Sequence, residues 1–130
     1  DASLKKVNGK SGFLEVDNKI ADTLIQKASD ITFMREYQNF LFLLHPAKGI
    51  LRFNSMGRWI KTIESPQLEY FNFLGEELYY PEGNKLKFLN LFTAETREIS
   101  RTQPGDVILL TDERMYTIES SSVGFFSLNR

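Results

Sequence analysis

A unit of about 36 residues recurs along this chain, and a recurrence of that length restricts the fold more than any other feature of the sequence. The segment Phe42-Leu43-Leu44-His45-Pro46-Ala47-Lys48-Gly49-Ile50-Leu51-Arg52-Phe53-Asn54, shifted by 36 positions, lies on Leu78-Tyr79-Tyr80-Pro81-Glu82-Gly83-Asn84-Lys85-Leu86-Lys87-Phe88-Leu89-Asn90. Both read apolar run, polar turn, apolar run, Asn. Ile63 falls on Ile99 at the same shift. At a shift of 37, Glu76-Glu77-Leu78-Tyr79 falls on Glu113-Arg114-Met115-Tyr116, and Leu86-Lys87-Phe88-Leu89-Asn90-Leu91 falls on Val123-Gly124-Phe125-Phe126-Ser127-Leu128. A partial earlier copy puts Gly12-Phe13-Leu14-Glu15-Val16-Asp17 on Gly49-Ile50-Leu51-Arg52-Phe53-Asn54.

Each apolar run has strand length, and each gap is short and carries Gly or Pro. The unit therefore predicts four strands. In the first full copy they fall at 31–37, 40–44, 49–54 and 59–64; in the second, at 68–74, 77–80, 85–91 and 96–100. The last copy supplies three, at 106–111, 114–119 and 122–128, and the leading copy supplies 3–7, 12–17 and 22–27. Residues 19–28 place Ile20, Leu24 and Ala28 at helical spacing, but Thr23, Ile25 and the flanking strands favour an extended segment. A four-stranded antiparallel meander cannot bury both of its faces alone, and stacking meanders around an axis buries them. The prediction is an all-β fold of antiparallel four-stranded blades, a partial β-propeller, with an antiparallel β-sandwich as the alternative. One propeller-like domain spans 1–130, with blades at 1–28 (partial), 31–64, 68–100 and 106–130 (partial). Propellers close with four to eight blades, and about three and a half do not close a ring. Completion by a longer chain or by a protein partner is expected, and two copies would supply about seven blades.

The totals exclude several classes. Basic residues number 16 and acidic ones 17, for a net charge of −1, so the basic excess of a nucleic-acid binder is missing. There is no cysteine, hence no disulfide, thiol nucleophile or Cys-held zinc. No apolar run approaches the roughly 20 residues of a membrane helix. The chain opens on Asp1 without Met or signal peptide, as a processed protein or a trimmed one would.

The segment Gly49-Ile50-Leu51-Arg52-Phe53-Asn54-Ser55-Met56-Gly57-Arg58-Trp59-Ile60-Lys61-Thr62-Ile63 resembles the repeat of NHL-like bacterial propellers, and Glu76 through Ile99 resembles the next blade. The resemblance runs from Gly12 to Leu128 and is nearest the C-terminal half of exported six- or seven-bladed propeller proteins of unknown function. It implies a periplasmic or cell-surface location. This chain departs from that pattern in lacking the N-terminal blades and the signal.

No sequence motif carries catalysis or a cofactor. His45 is the single histidine, and before Pro46 it reads as a turn or rim residue. Ser120, Ser121 and Ser122 align with the turn Gly83-Asn84-Lys85 and read as a turn. The acid pairs Glu76-Glu77 and Asp112-Glu113 hold equivalent places between first and second strands; they are either solvated turn charges or a site for a cation or for acid–base chemistry. Asp17, Asn54 and Asn90 each end a third strand, where an Asx side chain bonds the backbone two residues on. Tyr79, Tyr80 and Tyr116, with Phe40 and Phe42, lie in second strands, suited to inter-blade packing or to stacking on a ligand. Trp59 falls on an outer fourth strand, half exposed, as an interface marker would be. The expectation is a non-catalytic binding or scaffold module of an exported propeller protein, with a protein partner or self-association. The alternative is a hydrolase or lyase whose residues, scattered by one repeat each, meet at the propeller centre.

Overall fold

The computed structural model describes residues 2–100, 107–110, 114–118 and 123–127. They form four antiparallel sheets. The first holds β1 (Ala2–Val7) and β2 (Leu14–Ile20). The second holds β3 (Phe33–Tyr37), β4 (Phe40–His45), β5 (Gly49–Phe53) and β6 (Trp59–Glu64). The third holds β7 (Asn72–Leu74), β8 (Glu77–Glu82), β9 (Lys85–Asn90) and β10 (Thr96–Ser100). The last holds β11 (Val107–Leu110), β12 (Arg114–Ile118) and β13 (Val123–Ser127). Every pairing among the described residues joins strands consecutive in the chain, so each sheet is a meander. This is the all-β repeat of antiparallel four-stranded sheets that the sequence predicts, compatible with the partial propeller and with the sandwich.

Local chemistry sets the turns. Gln38 (φ 53°) and Asn39 (φ 65°) make a two-residue turn between β3 and β4, with both central residues left-handed as a tight hairpin requires. Gly49 opens β5 at φ 115°, and a β-carbon there would strike the carbonyl oxygen of Ile63. No other residue fits that corner.

Strand pairing verifies the repeat and corrects its register. Tyr79 pairs with Phe88, and Tyr116 pairs with Phe125, so the shift of 37 holds in both strands. The shift of 36 holds for β5 onto β9 but not for β4 onto β8. Phe42 pairs with Arg52, which makes Phe42 the counterpart of Tyr79 rather than of Leu78. The cause is the turn between them: residues 46–48 in one repeat, 83–84 in the next.

The leading copy needs a larger correction. Asp17 stands inside β2, opposite Lys5, and ends no strand. Its expected turn is made by Asn8, whose Oδ1 accepts the amides of Lys10 (2.9 Å) and Ser11 (3.0 Å). Asn90 does the same with Phe92 (2.9 Å) and Thr93 (3.0 Å). The backbone bonds match as well. Asn8 donates to the Phe13 carbonyl and accepts from Gly12; Asn90 donates to Glu95 and accepts from Ala94. β1 and β2 are thus the third and fourth strands of a unit. The predicted strand at 22–27 is absent: the Leu24 and Ile25 amides fold back to the Ala21 carbonyl, and a short 3-10 turn follows at Ala28–Asp30. Neither the helix nor the extended segment weighed for 19–28 forms beyond Ile20.

The chain divides into two compact units, Asp1–Glu69 and Tyr70–Arg130, and each has its own core. In the first, Ala2, Ile20 and Ile25 pack on Leu43, Leu51 and Phe53, which share one face of β3–β6. In the second, Tyr79, Leu86 and Phe88 pack with Leu110 of β11. Each fully buried side chain of this size contributes about 1.5–3 kcal/mol through the hydrophobic effect.

Candidate binding surface

Several predicted site residues are absorbed by structure. His45 is buried at the end of β4, and its Nδ1 accepts the Ala47 amide at 3.2 Å, the turn role that its sequence position implies. Asn54 Oδ1 accepts the amides of Met56 (2.9 Å) and Arg58 (3.0 Å), as expected for a turn-forming Asx. Tyr79 is fully buried, and its hydroxyl accepts the Leu110 amide at 2.9 Å. It offers no wet surface to a ligand. Tyr80 is also buried; burial first, then the Glu82 carboxylate, raises its pKa, and Lys87 opposes them. Phe42 is buried, and the Arg52 guanidinium lies 4.0 Å from the Phe40 ring centre. Desolvation lowers the Arg52 pKa.

The carboxylates separate. Glu77 takes a two-point ion pair from Arg97, Nε to Oε2 and Nη2 to Oε1, both at 2.8 Å. That hydrogen bond raises the Arg97 pKa, and its guanidinium also covers the Phe88 ring at 3.8 Å. Glu77 therefore clamps β8 to β10 across β9. Lys85–Glu98 (2.8 Å) and Lys87–Glu82 (2.7 Å) form a second, exposed set, and the Lys85 hydrogen bond lowers the Glu98 pKa. Among the described residues no three of His, Asp or Glu converge as metal ligands would. Asp112, Glu113, Ser120, Ser121 and Ser122 lie outside the described residues, as does the Tyr116 side chain.

Several large apolar side chains are exposed, and unit 1 carries apolar grooves. The two strands β1 and β2 cover β5, where Leu51 and Phe53 are sealed, and leave Met34 of β3 exposed. A groove of about 330 Å³ runs beside β1, lined by Leu4, Ile25, Ile31, Met34, Leu41 and Leu43. Met34 stands 65% exposed in it. Among the described residues β1 pairs with β2 alone, and its other edge borders the groove. A second groove of about 460 Å³ opens at the far end of the same two sheets, lined by Ile20, Leu24, Phe53, Gly57, Arg58 and Trp59. Trp59, 47% exposed as expected of an outer strand, donates from Nε1 to Thr62 Oγ1 at 3.1 Å.

The groove walls are fixed. The Lys48 ammonium donates to the carbonyls of Thr23 (2.7 Å) and Leu24 (2.6 Å), holding the 21–27 turn against the β4–β5 turn. Asn18 Nδ2 donates to the Met56 carbonyl at 2.6 Å. Gly57, at φ 79°, lets the sheets approach: a β-carbon there would lie 2.7 Å from Leu4 Cδ2 and 3.1 Å from Val16 Cγ1. Such a groove, rigid and apolar beside an unpaired strand edge, suits an extended or hairpin segment, which gains ladder hydrogen bonds and side-chain burial together. Sequence reasoning missed Met34 and Leu41. The signal was Asn8, which repeats the Asn90 turn and makes β1 and β2 the third and fourth strands of a unit.

No family profile matches the sequence, and no curated protein matches it. Solved structures do. The chain is similar to the computationally designed Ika4 protein, with TM-score 0.67 and 13% identity over 98% of this chain and 80% of that one. It is similar to the designed Ika8 protein, with TM-score 0.66 and 13% identity over 97% of this chain and 40% of that one. It is also similar to the N-terminal domain of Nup159, a β-propeller, with TM-score 0.55 and 15% identity over 78% of this chain. The chain spans 28% of the Nup159 domain's length. At these identities the likeness establishes the fold: an all-β chain of propeller-type blades.

Proposed function

We propose that this chain is a non-catalytic binding or scaffold module. The observation that carries the reading is the apolar groove along the unpaired edge of β1, with Met34 and Leu41 open beside it. The cost of leaving such a surface in water is recovered when a protein segment covers it. The partner is a protein, either a second copy or another chain that completes the blade. The NHL-like kinship and the exported, periplasmic or cell-surface setting belong to the same reading and rest on the segment from Gly49 to Ile63.

Peptide display against the immobilised chain tests it. Binders are expected to alternate apolar and polar residues as strands do. Leu41→Glu is expected to weaken them by about tenfold or more, since it puts a carboxylate on the apolar wall. Binders indifferent to Leu41→Glu, or none at all, would refute the reading. Fractionation of cells making the full-length protein checks the exported setting, which a cytoplasmic pool alone contradicts.

A further inference from the structure

One amide of the β1–β2 turn stands outside the turn's own hydrogen bonds. The Asn8 amide donates to the Phe13 carbonyl and the Gly12 amide to the Asn8 carbonyl, both at 2.9 Å. The amides of Lys10 and Ser11 donate to Asn8 Oδ1, and that of Phe13 donates to Ser11 Oγ. Gly9 donates to none of these groups. In the complete sheet β3–β6 the equivalent Ser55 amide is likewise unused by its turn, so this is a property of the turn and not of what flanks it.

The turn occurs three times, with a different residue after its Asn each time: Gly9, Ser55 and Leu91. All three Asn side chains accept two backbone amides through Oδ1. The following amide differs. That of Leu91 is committed, donating to the Glu76 carbonyl at 2.8 Å. Ser55 carries a side chain beside its amide nitrogen. Gly9 carries none, and nothing lies within 4 Å of the place a β-carbon would take. Gly12 stands at φ 75°, whereas Gly9 is outside the left-handed range, so the backbone does not demand glycine at position 9.

We propose that Asn8–Gly9 is a self-modifying site, at which the Asn8 side chain deamidates through a cyclic imide. The Gly9 nitrogen loses its proton and attacks Asn8 Cγ. The electron pair of the Cγ–Oδ1 double bond moves onto Oδ1, where the Lys10 and Ser11 amides already point from 2.9 and 3.0 Å. Two fixed backbone donors on a developing oxyanion are the arrangement that lowers the barrier to acyl transfer. The double bond then re-forms, the bond from Cγ to Nδ2 breaks, and Nδ2 leaves as ammonia with the proton that Gly9 lost. Water opens the imide at one of its two carbonyls. Cleavage at Cγ leaves an ordinary aspartate at position 8, and cleavage at the main-chain carbonyl leaves isoaspartate. Either product adds one negative charge to a chain of net charge −1. The aspartate keeps an acceptor for both amides. The isoaspartate lengthens the main chain by one carbon and carries the acceptor away from them, which opens the turn between β1 and β2.

Ageing of the folded full chain in warm buffer near neutral pH, followed by peptide mass spectrometry, tests this. Asn8 is expected to convert at least about tenfold faster than Asn54 or Asn90, to a mixture of aspartate and isoaspartate. Unfolding the chain in denaturant disperses the two amides and is expected to slow Asn8 about tenfold. Gly9→Ala is expected to slow it at least as much, and an unchanged far-UV circular dichroism spectrum separates this from lost folding. After chromatographic separation, the isoaspartate form is expected to exchange amide hydrogens over β1–β2 faster than the aspartate form, with β8 and β9 unchanged. An Asn8 rate no higher than those of Asn54 and Asn90 overturns the inference, as does a rate that holds or rises on unfolding. Equal exchange in the two products overturns the opening of the turn.

Discussion

The two units of this chain use one repeat to different ends. In unit 2, the face carrying Tyr79 is closed: the Tyr79 hydroxyl takes the Leu110 amide, and the Glu77–Arg97 pair lies over Phe88. In unit 1, the corresponding stack is closed over Leu51 and Phe53 and open over Met34. The lesson is that a repeat's burial depends on which strands its neighbour brings, more than on its own sequence. β4 is as apolar as β8, yet Leu41 lines a groove while its counterpart Leu78 is fully buried.

The largest expected effect falls where unit 1 is closed. Gly57→Val should destabilise unit 1 by about 2–4 kcal/mol, from left-handed strain and from overlap with Leu4. Chemical denaturation checks this, and a loss below about 1 kcal/mol would mean that β1–β2 does not pack there as described. Next is the closure of unit 2. Tyr79→Phe keeps the ring but leaves the buried Leu110 amide without that acceptor, at a cost of about 1–3 kcal/mol. A neutral Tyr79→Phe would erase the distinction between the closed and open faces.

A smaller effect sharpens the equivalence of the units. Asn8→Ala and Asn90→Ala each remove the acceptor of two amides in the same turn and should cost about 1–2 kcal/mol apiece. Hydrogen exchange read separately over β1–β2 and β9–β10 should give similar losses. Unequal losses would mean that the two turns carry different loads. The smallest effect appears only in alkali. The folded Tyr80 pKa is raised, chiefly by burial, while the unfolded chain ionises near pH 10. The unfolded state then binds fewer protons, so stability falls as pH rises from about 10 through the folded pKa. Tyr80→Phe should flatten that part of the stability curve, and an unchanged slope would contradict the burial of the hydroxyl.

The strands of the two full repeats were legible because alternation and Gly or Pro turns are local signals. β4, β6 and β10 fall within a residue of their expected bounds. The leading copy misled because Gly12 to Asp17 resembles Gly49 to Asn54 residue by residue, whereas the real equivalence lies in how Asn8 binds the backbone. That hydrogen-bond pattern spans a turn with no shared apolar residues, and composition does not reveal it. The one-residue slip between β4 and β8 was hidden likewise, because both strands are apolar at either register. Trp59 and His45 behaved as their strand positions implied. The Glu77–Arg97 clamp joins residues twenty apart, and no spacing rule announces it.

The central claim is that the open edge of β1 and the exposed side of β3 form the binding face of the molecule. Hydrogen–deuterium exchange of the full chain, read by mass spectrometry with and without a display-selected peptide, tests it most directly. The account predicts that protection rises on peptide binding over residues 2–7 and 33–37, while β8 and β9 stay unchanged. Protection that rises evenly along the chain, or nowhere in β1 and β3, would contradict it.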